Sequence, residues 1–208
     1  MTELVFILDK SGSMYGLEAD TIGGFNSMIA KQNETEGDAL ISTVLFDSKT
    51  TVIHDRVSLK DVPVLTAADY VTGGSTALLD AVGSAIKHIG NIHKYARRED
   101  IPEKTLFIIT TDGMENASCR YSYSKVKDMI EKQKSKYGWE FLFLGANIDA
   151  AETAGKFGIS AQCAVDYHCD AEGTALNYEV LSETITNVRA CKGIDANWKA
   201  RITADYNS

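Results

Sequence analysis

Short, wholly apolar runs alternate with longer amphipathic segments along this chain, and that alternation restricts the fold more than any other feature. Residues 4–8 contain no polar side chain, the mark of a strand buried on both faces. Ile22, Phe25, Met28 and Ile29 then recur at helical spacing, before a polar stretch ending at Gly37. Residues 40–46 and 50–57 are β-rich and separated only by Asp47-Ser48-Lys49, which predicts an antiparallel hairpin. Further along, the pattern predicts a helix over 77–92, a buried strand over 105–110 and a helix over 124–136. Next come a strand over 139–144, a short helix over 149–157 ending at Gly158, a strand near 162–167 and a helix near 176–191. No Pro-, Gly- or Ser-rich linker interrupts the series. The expectation is one α/β unit, a mostly parallel sheet with helices on both faces and right-handed crossovers. It spans residues 1–192, leaving 193–208 as a polar C-terminal tail with no assigned element.

Charge narrows the function. Across 208 residues, 21 Lys and Arg stand against 29 Asp and Glu, a formal net charge of −8. That sign argues against binding a phosphate backbone and leaves room for a cation. The lysine-rich stretch 121–137 reads as a solvated helix face. Cys119, Cys163, Cys169 and Cys191 have neither CxxC nor zinc-ligand spacing, so free thiols are expected, with a Cys163–Cys169 disulfide as the alternative in an oxidising compartment. The run 4–8 is too short for a signal-peptide core or a membrane span, so a cytoplasmic location away from membranes is expected.

In an open parallel sheet, ligands bind outside the carboxyl ends of the strands. There this chain places Asp9-Lys10-Ser11-Gly12-Ser13 after the first strand and Thr111-Asp112-Gly113 after the 105–110 strand. Between them in sequence, Gly73-Gly74-Ser75-Thr76 leads into the helix from 77. Three such loops meeting at one sheet edge would gather two carboxylates, Asp9 and Asp112, and three hydroxyls, Ser11, Ser13 and Thr76. An all-oxygen set suits a hard cation, Mg2+ or Mn2+, and offers nothing to metals that prefer thiolate or imidazole. Two carboxylates balance a divalent ion without over-neutralising it, and hydroxyls add no charge. Such an ion would still attract one further anionic oxygen, from a partner's carboxylate. Asp80, one turn after Thr76, and Glu115 are candidates to orient the ligating groups by hydrogen bonding. Asp80 reads equally well as a first-turn helix acid, and Glu115 reads first as a solvent-exposed residue.

Asp9-Lys10-Ser11-Gly12-Ser13-Met14, Gly73-Gly74-Ser75-Thr76 and Thr110-Thr111-Asp112-Gly113, in that order, resemble the von Willebrand factor A (vWA) domain and its metal-ion-dependent adhesion site (MIDAS). The resemblance implies a Rossmann-like three-layer α/β/α fold, with a mostly parallel six-stranded sheet and one antiparallel edge strand. It implies Asp9, Ser11, Ser13, Thr76 and Asp112 as the metal-site residues, Mg2+ or Mn2+ as the ion, and no catalytic role. The partner it implies is a protein with an exposed Asp or Glu; nucleic acid and membrane are not implied. Compact single-domain vWA proteins of bacteria and phages are the most similar type, and their partners include ATPases, kinases and phosphatases encoded nearby.

Two other readings compete. One is a structural subunit of a multiprotein complex that needs no metal. The other is an Mg2+-dependent phosphohydrolase, since Asp9 after a buried strand also resembles the haloacid-dehalogenase phosphotransferases. There an acid stands two residues after the nucleophile, whereas this chain has Ser11. No P-loop, GxGxxG or GxSxG occurs, and His54, His88, His93 and His168 are expected to be structural or exposed. A binding module is the stronger expectation.

Overall fold

The computed structural model describes residues 1–208. Six strands, β1 (Thr2–Asp9), β2 (Ala39–Phe46), β3 (Thr50–Ser58), β4 (Lys104–Thr111), β5 (Glu140–Gly145) and β6 (Ala164–Asp166), form one sheet in the order β3-β2-β1-β4-β5-β6. Every pairing is parallel except that of β3, which lies antiparallel along β2 at one edge. Six helices cover the sheet: α1 (Glu18–Asn33), α2 (Leu78–Tyr95), α3 (Tyr123–Tyr137), α4 (Ala150–Lys156), α5 (Ala171–Arg189) and α6 (Ala200–Tyr206).

The unbroken apolar run near the N-terminus reflects the central position of β1. Successive side chains of a strand point to opposite faces. Leu4, Phe6 and Leu8 therefore pack with Phe25 and Met28 of α1 and Leu181 and Ile185 of α5. Val5 and Ile7 pack on the other face with Val82 and Ile86 of α2 and Val126 and Ile130 of α3. All of these side chains are buried, each stabilising the fold by roughly 1.5–3 kcal/mol relative to exposure. The charged residue near the start of the strand is offset by ion pairs. Glu3 is wholly buried, with Arg56 Nε 2.6 Å from one oxygen and the His93 ring on the other.

Most boundaries fall within a few residues of the sequence expectation; α5 does not. It begins at Ala171, because the Asp170 side chain accepts from the Gly173 N–H at 2.8 Å and caps a polar first turn. The apolar period from Leu176 marks only the part of the helix that faces the core. Residues 193–208, where the sequence pattern assigns no element, carry α6, which packs on α5 and β6, and both Trp198 and Ile202 enter the core. All four cysteines are free thiols. No helix is long and apolar enough to cross a membrane.

His54 on β3 is buried, with Nδ1 2.9 Å from Thr43 Oγ1 and its ring stacked on Phe25. Burial pushes its pKa below the ordinary imidazole value, against the opposing pull of a backbone contact at Pro63 and the charge of Asp69. Below about pH 6.5 the unfolded chain therefore takes up a proton that the folded chain resists, and stability falls. The urea midpoint of the wild type should drop relative to that of His54→Leu as the pH is lowered from 7 to 5. Parallel midpoints would show that His54 titrates alike in both states.

Candidate metal centre

The parallel register sets Leu8 beside Thr110, so the carboxyl ends of β1 and β4 deliver Asp9 and Thr111 side by side. Both oxygens of Asp9 are engaged: Oδ1 accepts from the Ser11 N–H at 2.7 Å, and Oδ2 from the Thr111 hydroxyl at 2.7 Å and the Asp112 N–H at 3.3 Å. The Ser11 and Ser13 hydroxyls lie 3.1 Å apart, as their alternate spacing on a tight loop predicts. The third loop closes on the first, with the Gly12 N–H on the Gly74 carbonyl at 3.2 Å and the Gly73 N–H on the Lys10 carbonyl at 2.9 Å. A Cβ built on Gly113 would lie 3.4 Å from Thr76 Oγ1 and 3.6 Å from Ser13 Oγ. Asp9, Ser11, Ser13, Thr76 and Asp112 thus sit on three loops that touch one another at one sheet edge.

Besides Gly74 of the Gly73–Thr76 motif, several residues that hold this edge together have no mark in the sequence. Asp47, in the β2–β3 turn, pairs with Lys10 Nζ at 2.6 Å, accepts from the Lys49 N–H and offers its carbonyl to the Ala77 N–H, tying the hairpin to the other loops. Gly74 comes so close that a Cβ would stand 2.7 Å from Ser48 Oγ, and its φ of +73° also disfavours a side chain. Asn116 accepts from the Thr76 N–H and donates its own N–H to the Thr76 carbonyl. Tyr70 is buried and donates its hydroxyl to the Asp9 carbonyl. Asn147, on the loop after β5, donates to Asp112 Oδ1.

Asp80 and Glu115 do other work than orienting ligating groups. Asp80 accepts from the N–H groups of Cys119, Arg120 and Tyr121, which hold its carboxyl below the usual range although burial opposes them. Glu115 is half-buried rather than exposed and accepts from the N–H groups of Leu79, Ala117 and Ser118. Both carboxylates fasten the 115–121 segment to the start of α2.

Electrostatics set Asp9 and Asp112 apart. They are 1% and 3% exposed, and neither forms an ion pair; the ammonium of Lys10, next to Asp9 in sequence, is directed to Asp47. Burial pushes the Asp112 carboxyl above the usual carboxylate range, against hydrogen bonds from Cys169 and Asn147, and the charge of Asp9 adds to the rise. The Cys169 thiol is in turn pushed well up by burial and by the Asp112 carboxylate. Two buried carboxylates without a counter-charge are costly unless something positive joins them. No cluster of three or more His, Cys, Asp or Glu side chains suited to a metal occurs, so a cation here would depend on hydroxyl oxygens as well.

No protein-family model and no curated protein matches the chain. Solved structures do. A von Willebrand factor type A protein from Catenulispora acidiphila superposes with a TM-score of 0.61 at 15% identity, over 89% of this chain and 43% of that one. Proximal thread matrix protein 1 from the mussel byssus, in a form with a zinc-occupied MIDAS motif, gives 0.57 at 15% identity over 89% and 46%. The ArnB paralog VWA2 from Sulfolobus acidocaldarius gives 0.55 at 17% identity over 88% and 44%. The chain therefore spans less than half the length of these structures. Its fold is the vWA fold, a six-stranded, mostly parallel Rossmann-like sheet with one antiparallel edge strand and helices on both faces.

Proposed function

We propose that this chain is a protein-binding module, not an enzyme, whose Asp9, Ser11, Ser13, Thr76 and Asp112 hold Mg2+ or Mn2+ and thereby capture an acidic group of a protein partner. The observation that carries the reading is the pair of buried carboxylates without a counter-charge, on loops that also carry the Ser11, Ser13 and Thr76 hydroxyls. The donor set fits a hard divalent ion: all oxygen, with only two formal charges. When bound, the ion would supply an electrophilic position for a partner's Asp or Glu. The chain's own part is to hold its oxygens in place through Thr111, Asn147, Asn116 and the Lys10–Asp47 pair, so that little is reorganised on capture. The zinc-occupied MIDAS of the mussel protein is further support from a chain of the same fold.

Calorimetric titration of the chain with Mg2+, paired with melting in Mg2+ and in EDTA, tests the metal. One ion per chain is expected, with a melting temperature that rises with Mg2+, because an ion binding only the folded state at about 100 times its Kd adds about 2.7 kcal/mol. Absence of both heat and melting shift with Mg2+ and with Mn2+ would leave a metal-independent structural role as the better reading.

A further inference from the structure

Three large apolar side chains stand in solvent around the candidate centre, one beside each of its loops. Tyr15 lies two residues beyond Ser13, Met114 two beyond Asp112 and Val71 two before Gly73, and they are 84%, 71% and 61% exposed. At about 3.6 Å per residue at most, each Cα lies within about 7 Å of that of the loop residue named with it.

Their backbones are held in place. The Tyr15 N–H donates to the Gly12 carbonyl at 3.3 Å. Val71 comes directly after the buried Tyr70, whose hydroxyl is on the Asp9 carbonyl, and its own carbonyl lies 3.4 Å from Lys10 Nζ. Met114 precedes Glu115 and Asn116, which are bound to the Leu79 N–H and to the Thr76 backbone. Single exposed apolar residues are ordinary on a protein surface. Here, however, the same three loops that carry the oxygen donors also carry an outward apolar side chain each. Tyr and Met are also the types enriched where protein partners meet.

We propose that these three side chains form an apolar collar that selects the partner: the captured acidic residue lies in a peptide segment flanked by bulky apolar side chains, which pack on Tyr15, Val71 and Met114. This inference rests on the metal-dependent capture proposed above. A carboxylate alone would satisfy the centre but leave the collar in water. A purely apolar segment would cover the collar but leave the cation without its extra oxygen. The recognised unit is therefore apolar–acidic–apolar, and each half distinguishes it from a different class of competitor.

A displayed library of seven-residue peptides with a fixed central Asp and random flanks, selected on the full chain in Mg2+ and released with EDTA, tests the collar. The released pool should be enriched at least threefold in Leu, Ile, Val, Phe and Met at positions next to the Asp. With Tyr15→Ser combined with Met114→Ser, two exposed sites, peptides should still be released by EDTA but lose that enrichment, while Mn2+ affinity by electron paramagnetic resonance stays unchanged. Random flanks in the wild-type pool, or enrichment that survives the double variant, would overturn the collar and leave metal capture standing. If EDTA releases no peptides from a chain that binds Mn2+, capture of an acidic group fails and the collar with it. Mg2+-dependent dimerisation in sedimentation without peptide would instead assign the collar to a second copy and overturn a peptide partner.

Discussion

Asp112→Asn is expected to abolish divalent-cation binding and yet make the metal-free chain more stable, whereas Asp9→Asn abolishes binding and destabilises. The two carboxylates are both buried, but their surroundings differ. Asp9 receives three donors, from the Ser11 N–H, the Thr111 hydroxyl and the Asp112 N–H, and an amide in its place would turn an NH2 toward at least one of them. Each buried donor left unpaired costs about 1–3 kcal/mol. Asp112 is instead pushed toward neutrality by burial and by the charge of Asp9, with Asn147 and Cys169 only partly offsetting this. Asn at 112 removes the repulsion and keeps an oxygen for the Asn147 amide. The gain in EDTA should be roughly 0.5–2 kcal/mol, the usual scale of a single stabilising substitution. At about 2–4 °C per kcal/mol for a chain of this size, that is a visible rise in melting temperature. Loss of an outer hydrogen-bond partner already weakens metal sites by about 10–100-fold, so loss of a direct carboxylate should exceed that in both variants. Melting in EDTA and Mn2+ titration together decide the matter. An Asp112→Asn chain that melts below the wild type in EDTA would mean that the buried charge is compensated without a metal.

These opposite signs cannot be read from the sequence, although the two residues themselves can. Apolar period and strand length identify β1 and β4, because a strand buried on both faces has no room for polar side chains. Asp9 and Asp112, at or just past the ends of those strands, are then at a sheet edge by topology alone. The same logic identifies the antiparallel edge strand, since Asp47-Ser48-Lys49 is too short for anything but a hairpin. The supporting residues escape because their roles come from contacts across long stretches of chain. Asn147 reaches Asp112 from 35 residues away and Tyr70 reaches Asp9 from 61, and an asparagine in a loop or a tyrosine after a turn is ordinary in type. Asp80 and Glu115 show the converse limit. Sequence proximity to Thr76 and Asp112 suggests that they orient ligating groups, but backbone N–H groups of the 117–121 segment lie nearer and take their oxygens. The start of α5 escapes for a third reason: capping by Asp170 is a polar signal, invisible to an apolar period.

Deleting residues 194–208 should destabilise the chain by more than about 4 kcal/mol, a large part of the 5–15 kcal/mol that holds a typical domain. The segment reads as polar, but two of its apolar residues, Trp198 and Ile202, are buried and matter most. Trp198 is buried and its Nε1 donates to the Gln162 carbonyl at 2.8 Å, while Ile202 of α6, which packs on α5 and β6, is buried in the same core. Emptying a buried Trp site typically costs about 3–5 kcal/mol and an Ile site about 2–5 kcal/mol, not fully additively. Lys199 adds a further consequence. Its Nζ donates to the Ala161 and Ala164 carbonyls at 2.7 and 2.6 Å, covering the start of the three-residue edge strand β6. Without it those carbonyls turn to water or to another chain, the usual route by which edge strands aggregate. The damage should also reach the candidate centre, because the His168 ring, next to Cys169, packs at a tilt against Tyr206, centroids 5.0 Å apart. Urea denaturation is the measurement: Trp198→Ala should lower the midpoint, deletion should lower it further, and the deleted chain should bind Mn2+ more weakly. A chain ending at Gly193 that unfolds at the wild-type midpoint would show that α6 rests on the domain without being part of it.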